Sequence, residues 1–244
     1  MLRWFFNRRS KPQALTFWGY AHRLIVLILL WFVIFNLWVF LNIAWWIKFN
    51  PSSSAFMRAR LSAMREEHPD ATLKHHWVDY AQMSIHLKRA LIASEDAKFM
   101  QHQGFDWEGV ELAFKKNIQK GKLVAGGSTI TQQLAKNMFL SSRRSLFRKL
   151  EEAVITVMLE KMLSKQRIYE IYLNMIEWGN GVFGAEAAAR HYYQTGANRL
   201  GVTQAAKLAV MVPNPRFYDT HRNTRYIKHR TATIQTRLYM VQVP

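Results

Sequence analysis

The sequence predicts a mostly α domain carried behind one membrane-spanning helix. Three observations lead there: an uncharged apolar run at residues 24–47, helical periodicity through most of the chain beyond it, and a scarcity of alternating apolar and polar runs. Half of the 244 residues are apolar and 14% are aromatic, which excludes a disordered chain. There is no cysteine, and so no disulfide framework, thiolate nucleophile or cysteine-based zinc site. Lys and Arg number 34 against 16 Asp and Glu, a formal charge of +18. That excess calls for an anionic partner: nucleic acid, a phosphate-bearing substrate or an acidic membrane surface.

Residues 1–23 form a basic tail without a single acid. The run "LIVLILLWFVIFNLWVFLNIAWWI", Leu24 to Ile47, comes next. As a helix it reaches about 36 Å, enough for a hydrocarbon core of about 30 Å. Trp45 and Trp46 stand where an aromatic belt belongs. No small-residue cleavage site marks a signal peptide. Arg3, Arg8, Arg9, Lys11 and Arg23 precede the span, while Lys48, Arg58, Arg60 and Arg65 lie after it. With the acid-free tail, that places the amino terminus in the cytoplasm and the main domain outside. Residues 48–74 read as a linker and membrane-proximal segment, with turn chemistry in "NPSSSAF". Residues 75–244 read as one domain of successive helices. One ends at Glu95, one runs from about Trp107 to Gly121, and one starts near Thr129. Leu146, Leu150, Val154, Val157 and Met158 mark a long helix, and two more come after it.

Four stretches hold the candidate chemistry. In "SEDAKFMQHQGFD", Glu95 and Asp96 sit at a helix end beside a turn, with His102 and Asp106 after it. They are either solvated helix-end charges, opposed by the macrodipole, or the acid/base end of a site. In "GGSTITQQLAKN", Thr129 and Gln132 have capping-box spacing, and the free N–H groups can receive an anion. Thr129, Gln132, Gln133 and Lys136 recur on one helical face, with Ile130 and Leu134 on another. The stretch is either a well-capped surface helix or a phosphate- or sugar-binding face. In "RRSLFRKLEEAVITVML", Glu152 pairs with Arg148 or is partly desolvated, and Glu151 reads as its solvated neighbour. In "SKQRIYEIYLN" and "GVFGAEAAARHYY", small residues allow close helix approach, and the tyrosines read as packing. The apolar segment Phe105 to Phe114 fits either contact with lipid or the core.

In this order and spacing the stretches resemble the peptidoglycan glycosyltransferases of glycosyltransferase family 51, in their single-domain, membrane-anchored form. Glu95, Asp96, Phe99, His102 and Gly104 meet the first motif. Gly126 to Gln133 with Lys136 and Asn137 meet the second, and Arg148, Lys149 and Glu152 the third. Lys165, Ile168, Glu170, Tyr172 and Asn174 meet the fourth; Gly184, Ala185, Ala188 and Tyr192 meet the fifth. The match covers about residues 75–220.

The resemblance implies a lysozyme-like helical glycosyltransferase domain on the periplasmic face of a bacterial cytoplasmic (inner) membrane. There it would polymerise lipid II onto a growing glycan strand and release undecaprenyl diphosphate. By the resemblance, Glu95 and Glu152 are the catalytic carboxylates. Asp96, Phe99, His102, Gly127, Ser128, Thr129, Gln132, Gln133, Lys136, Asn137, Arg148 and Lys149 would bind substrate. The only cofactor suggested is a divalent cation, magnesium or manganese, bridging carboxylate and pyrophosphate. The implied partners are lipid II, the glycan strand and membrane lipids, with cell-wall synthesis or division proteins as further candidates and no nucleic acid. A lysozyme-like glycan-cleaving enzyme and a non-enzymatic cell-wall scaffold are the competing readings. No Ser-x-x-Lys occurs in the sequence, so neither transpeptidation nor labelling by β-lactams is expected.

Overall fold

The computed structural model describes residues 17–121, 127–143 and 145–244. Most of the basic tail, including Arg3, Arg8, Arg9 and Lys11, lies outside them, as does Gly126 of the second motif. By its contacts the chain divides into two units, Met1–Leu41 and Asn42–Pro244.

The apolar run folds as part of helix α1 (Phe17–Trp46), which starts seven residues before the expected span. Within it, Trp18–Trp46 is long and apolar enough to cross a membrane, at 29 residues or about 44 Å. Leu24, Leu27, Leu29 and Trp31 are each more than half exposed, as a lipid-facing helix requires. Asn36 donates to the Phe32 carbonyl at 2.8 Å, which satisfies its amide within the helix.

In the second unit, Arg167 fastens the entry of the chain. Its guanidinium donates to the carbonyls of Trp46 and Phe49, each at 2.8 Å. The segment expected as a linker contains a helix instead, α2 (Ala55–Glu67). Ser54 caps it, accepting from the Met57 N–H at 3.0 Å. Then come α3 (Ile85–Glu95), α4 (Trp107–Lys120), α5 (Ile130–Phe139), α6 (Leu146–Met162) and α7 (Lys165–Met175). After these are α8 (Ala185–Tyr193), α9 (Val202–Met211), α10 (Pro215–Thr220) and α11 (Arg225–Arg237).

The core has two parts. α3 packs on α9, which packs on α11, and α5 lies against both α6 and α7. Ile130, Leu134, Ala135 and Met138 of α5 are buried, so this short helix is held by packing on several sides. A small sheet, too short to read from alternation, sits at one end. β1 (Lys74–His75) runs parallel to β3 (Val182–Phe183), and β3 runs antiparallel to β2 (Glu177–Gly179).

Two helices differ from expectation in which face is buried. On α6, Leu146, Leu150 and Val157 are exposed, whereas Glu151, Glu152, Ile155, Thr156 and Leu159 face inward. The apolar stripe located the helix correctly but is not its packing face. Glu151, expected to be solvated, is buried, and its Oε1 has no hydrogen-bond partner among the described residues. Burial raises its carboxyl above the ordinary value. On α4 no described residue is buried, and Trp107, Leu112, Phe114 and Ile118 are largely exposed. That rules out the core reading of Phe105 to Phe114 for these side chains.

Candidate active site

Glu95 is the last residue of α3 and lines a cleft of about 370 Å³. Ser128, Gln133, Lys136 and Asn137 of the second motif line the same cleft. The Gln133 amide donates to Glu95 Oε2 at 2.9 Å, and the Tyr172 hydroxyl donates to Gln133 Oε1 at 2.9 Å. A relay from the fourth motif through the second therefore aims the carboxylate. Tyr172 itself is fully buried, so the sequence could show its packing but not this link. Burial raises the Glu95 carboxyl above its ordinary value. The bonds from Gln133 and Ser94 and the Arg230 charge pull the other way, and Asp96 adds to the rise. Such a group holds a proton more tightly than a solvated glutamate does.

Asp96 has a different post. Its Oδ2 accepts from the backbone N–H of Ile130 at 3.0 Å, in the first turn of α5, where a negative charge suits the helix dipole. Its Oδ1 pairs with His102 Nε2 at 2.9 Å. The Gly104 N–H donates to His102 Nδ1 at 3.2 Å, so the ring proton sits on Nε2 and points to Asp96. Phe99 is fully buried, with its ring 5.5 Å from that of Tyr169 and the Lys165 ammonium 4.4 Å from its centroid. Phe99 and His102, expected at the substrate, are placed instead in the support beneath the cleft. Asp96 joins them there, although it also borders a small cavity with Gly127 and Ser128.

The second motif likewise divides by position. Thr129 and Gln132 are buried and form the full capping box of α5, while the Thr129 hydroxyl donates to the Gly104 carbonyl at 2.7 Å. The surface-helix reading of this segment fails. Gln133, Lys136 and Asn137 are left to face the cleft. Gly127 closes on α4: a Cβ there would lie 3.1 Å from the Val110 Cα.

Glu152 is 3% exposed and is held by two cations, Arg148 Nη1 at 2.8 Å and the Lys149 ammonium. Both alternatives open in the sequence are therefore realised, burial and pairing. Lys136 joins the two halves. Burial depresses its ammonium pKa; the Glu152 charge raises it, Arg148 and Lys149 lower it, and Glu95 raises it. Both carboxylates thus act on one lysine, which puts three cations and two carboxylates within one electrostatic neighbourhood. Such an arrangement can take a proton from a hydroxyl at one point and neutralise a developing phosphate charge at another. Phe56, Glu177, Pro213, Asn214 and Arg216 also line the cleft. They were not found in the sequence, because they come from distant segments that carry no periodic signal.

The fold and site together show a helical domain behind one helix apolar enough to cross a membrane, with carboxylates and a cation group suited to group transfer at a phosphate-bearing substrate. The transglycosylase family model matches residues 62–239. A biosynthetic peptidoglycan transglycosylase of Methylobacillus flagellatus is 61% identical over 220 residues, covering 90% of this chain and 96% of that protein. The protein of the same name from Laribacter hongkongensis is 60% identical over 213 residues, covering 87% and 93%. That from Herminiimonas arsenicoxydans is 56% identical over 232 residues, covering 95% and 98%. The chain belongs to the transglycosylase family.

Proposed function

We propose that this chain polymerises lipid II, a disaccharide-pentapeptide on undecaprenyl diphosphate, into β-1,4-linked glycan strands of peptidoglycan. The observation that carries the reading is Glu95. It is a carboxylate withdrawn from water, aimed by Gln133 and sharing Lys136 with the Glu152 cation group. In the reaction, Glu95 takes the proton from the acceptor 4-hydroxyl. That oxygen bonds to the donor's anomeric carbon while the bond from this carbon to the diphosphate breaks. The electron pair leaves with the diphosphate, and direct displacement inverts the α-linked centre to β. Lys136, Arg148 and Lys149 neutralise the charge that builds on the leaving group. Glu152 keeps Arg148 and Lys149 in place for it.

Ser128, Gln133 and Asn137 offer polar groups to the sugars along the cleft. Among the described residues no three His, Asp or Glu side chains gather as a metal site. Glu95 and Glu177, the carboxylates that line the cleft, are the groups that would hold a magnesium or manganese ion beside a bound diphosphate, where it would add positive charge. The acid-free amino-terminal tail supports a periplasmic domain on the inner membrane, with the apolar helix as anchor. Cell-wall synthesis or division proteins are the candidate protein partners.

The test gives the full-length protein lipid II and, separately, mature sacculi. Polymer from lipid II, lost in Glu95→Gln and in Glu152→Gln with folding retained, supports synthesis. Soluble fragments from sacculi would support a glycan-cleaving enzyme. Polymer formation unchanged by Glu95→Gln would remove the base assignment.

A further inference from the structure

One carboxylate outside the cleft gathers donors from three directions. Asp219 of α10 accepts at Oδ1 from His191 Nε2 at 2.9 Å and from Arg222 Nη2 at 3.0 Å. Its Oδ2 accepts from the Asn180 N–H at 3.0 Å. The Tyr192 hydroxyl lies 3.1 Å from Oδ1 and 2.8 Å from the Trp178 carbonyl, so its single proton is shared between the two. Lys74 Nζ stands 3.5 Å from His191 Nδ1 and can only donate, so the neutral ring carries its proton on Nε2, toward Asp219. The Arg222 guanidinium lies over the Tyr192 ring, 4.6 Å from its centroid. Burial by itself would raise the Asp219 carboxyl, but the bonds from His191 and Asn180 hold it below its ordinary value. None of these side chains lines the Glu95 cleft.

What the network holds is α10. This helix of six residues buries none of them, and so short a helix does not hold itself. Yet its leading end walls the cleft, which Pro213, Asn214, Pro215 and Arg216 line together with Glu177 of β2. The Arg216–Glu177 pair is loose, at 3.9 Å with an exposed guanidinium, and holds that wall only weakly. We propose that Asp219 is a positioning residue: it latches α10 to α8 and to the β2–β3 turn, and so keeps Asn214 and Arg216 in the wall where they meet substrate. Pro213 and Pro215 fix φ on either side of Asn214, so a hold at Asp219 is carried to the wall. The inference rests on the proposed polymerisation for what the cleft binds, but not for the latch itself. Asp219, His191 and Arg222 lie outside the motifs that carry the family resemblance. Tyr192 belongs to the fifth and was read as packing, yet it takes part through its hydroxyl.

The experiment compares full-length wild type, Asp219→Asn and His191→Ala in detergent, by hydrogen exchange and by steady-state rates with lipid II. Exchange over residues 213–222 should quicken about tenfold in Asp219→Asn and less in His191→Ala, with α3 and α5 protected as in wild type. The KM for lipid II should rise about tenfold in Asp219→Asn, as for one lost charge-assisted contact, with kcat within about twofold because the support of Glu95 is untouched. Arg216→Ala supplies the readout that a merely structural aspartate would not move. Alone it should raise KM; combined with Asp219→Asn it should add little, because both act through one wall. Should Asp219→Asn not fold, His191→Ala, which removes a single bond, carries the same comparison. If wild type makes no polymer, the polymerisation reading falls, while exchange over 213–222 still decides the latch. Exchange there unchanged by both variants, or KM increases that multiply in the combined variant, overturns it.

Discussion

At the level of single residues, Glu95 and its neighbour Asp96 are adjacent in sequence yet do different work. Asp96 bonds inward to α5 and His102, whereas Glu95 points into the cleft under the Gln133 amide. The motif spacing made both legible as important but not as different, since the division depends on which side of the α3 terminus meets α5. Glu151 and Glu152 mislead in a related way. An i, i+4 Arg148–Glu152 pair can be read from spacing, but the burial of Glu151 depends on what packs over α6. The raised Glu95 carboxyl gives a pH prediction. Between the ordinary value of 4.5 and the raised folded value, the folded state binds more protons than the unfolded chain, so stability falls as pH rises through that window. Glu95→Gln removes the loss. Its melting temperature should match wild type well below pH 4.5 and exceed it by a margin that grows from pH 4.5 up to the raised folded value and then holds, while polymerisation falls about 10²–10⁴-fold. Gln133→Leu takes away a bond that favours the ionised form. The acid limb of kcat/KM, expected above pH 4.5 for wild type, should then move to higher pH. A limb that stays put would detach Gln133 from the base.

At the level of elements, the ends of α3 and α5 are joined through one short turn. Asp96 reaches the first turn of α5, and Thr129, its cap, reaches the Gly104 carbonyl. Gly104 sits at φ 89°, and a Cβ there would lie 2.6 Å from Thr156 Cγ2 on α6. Only glycine suits that backbone and that gap. Gly104→Ala should therefore destabilise the protein by about 1–3 kcal/mol, read from chemical or thermal unfolding in detergent, and should lower activity by loosening Glu95. A variant of wild-type stability would mean that α6 yields freely. The helices from α3 to α8 were legible because their signals are local, in serine or threonine caps, periodic apolar residues and Gly121 after α4, whereas α2 was read as linker and α9 to α11 were not singled out. What stayed hidden was which face each one buries. Leu146 and Leu150 are apolar yet exposed, and so are Leu112 and Phe114 on α4. Replacing Leu112 and Phe114 by Asp should leave unfolding within about 0.5 kcal/mol of wild type, as for other surface changes. The same pair should reduce activity on lipid vesicles more than in detergent if this face meets lipid; equal activity in both settings would deny it that role.

For the molecule as a whole, the balance of 34 basic against 16 acidic residues is the plainest feature of the composition, and it points toward an anionic partner before any fold is considered. Sequence alone could not say where that charge acts, because Arg60 meets Glu177 across 117 positions and Arg216 arrives from another helix. The structure distributes it in two ways that salt should separate. Lys136 and Arg148 stand mostly withdrawn from solvent beside Glu152, and buried pairs are screened little. Arg58, Arg143 and the rest of the exposed basic surface act on an approaching diphosphate through water. That attraction shrinks as the Debye length falls from about 10 Å at 0.1 M salt to about 3 Å at 1 M. Raising salt over this range should therefore increase the KM for lipid II several-fold while kcat changes by less than about twofold. Steady-state rates at fixed detergent concentration measure both. A kcat that collapses with KM constant would place the salt-sensitive charges at the leaving group instead, and the exposed arginines would then have no part in substrate capture.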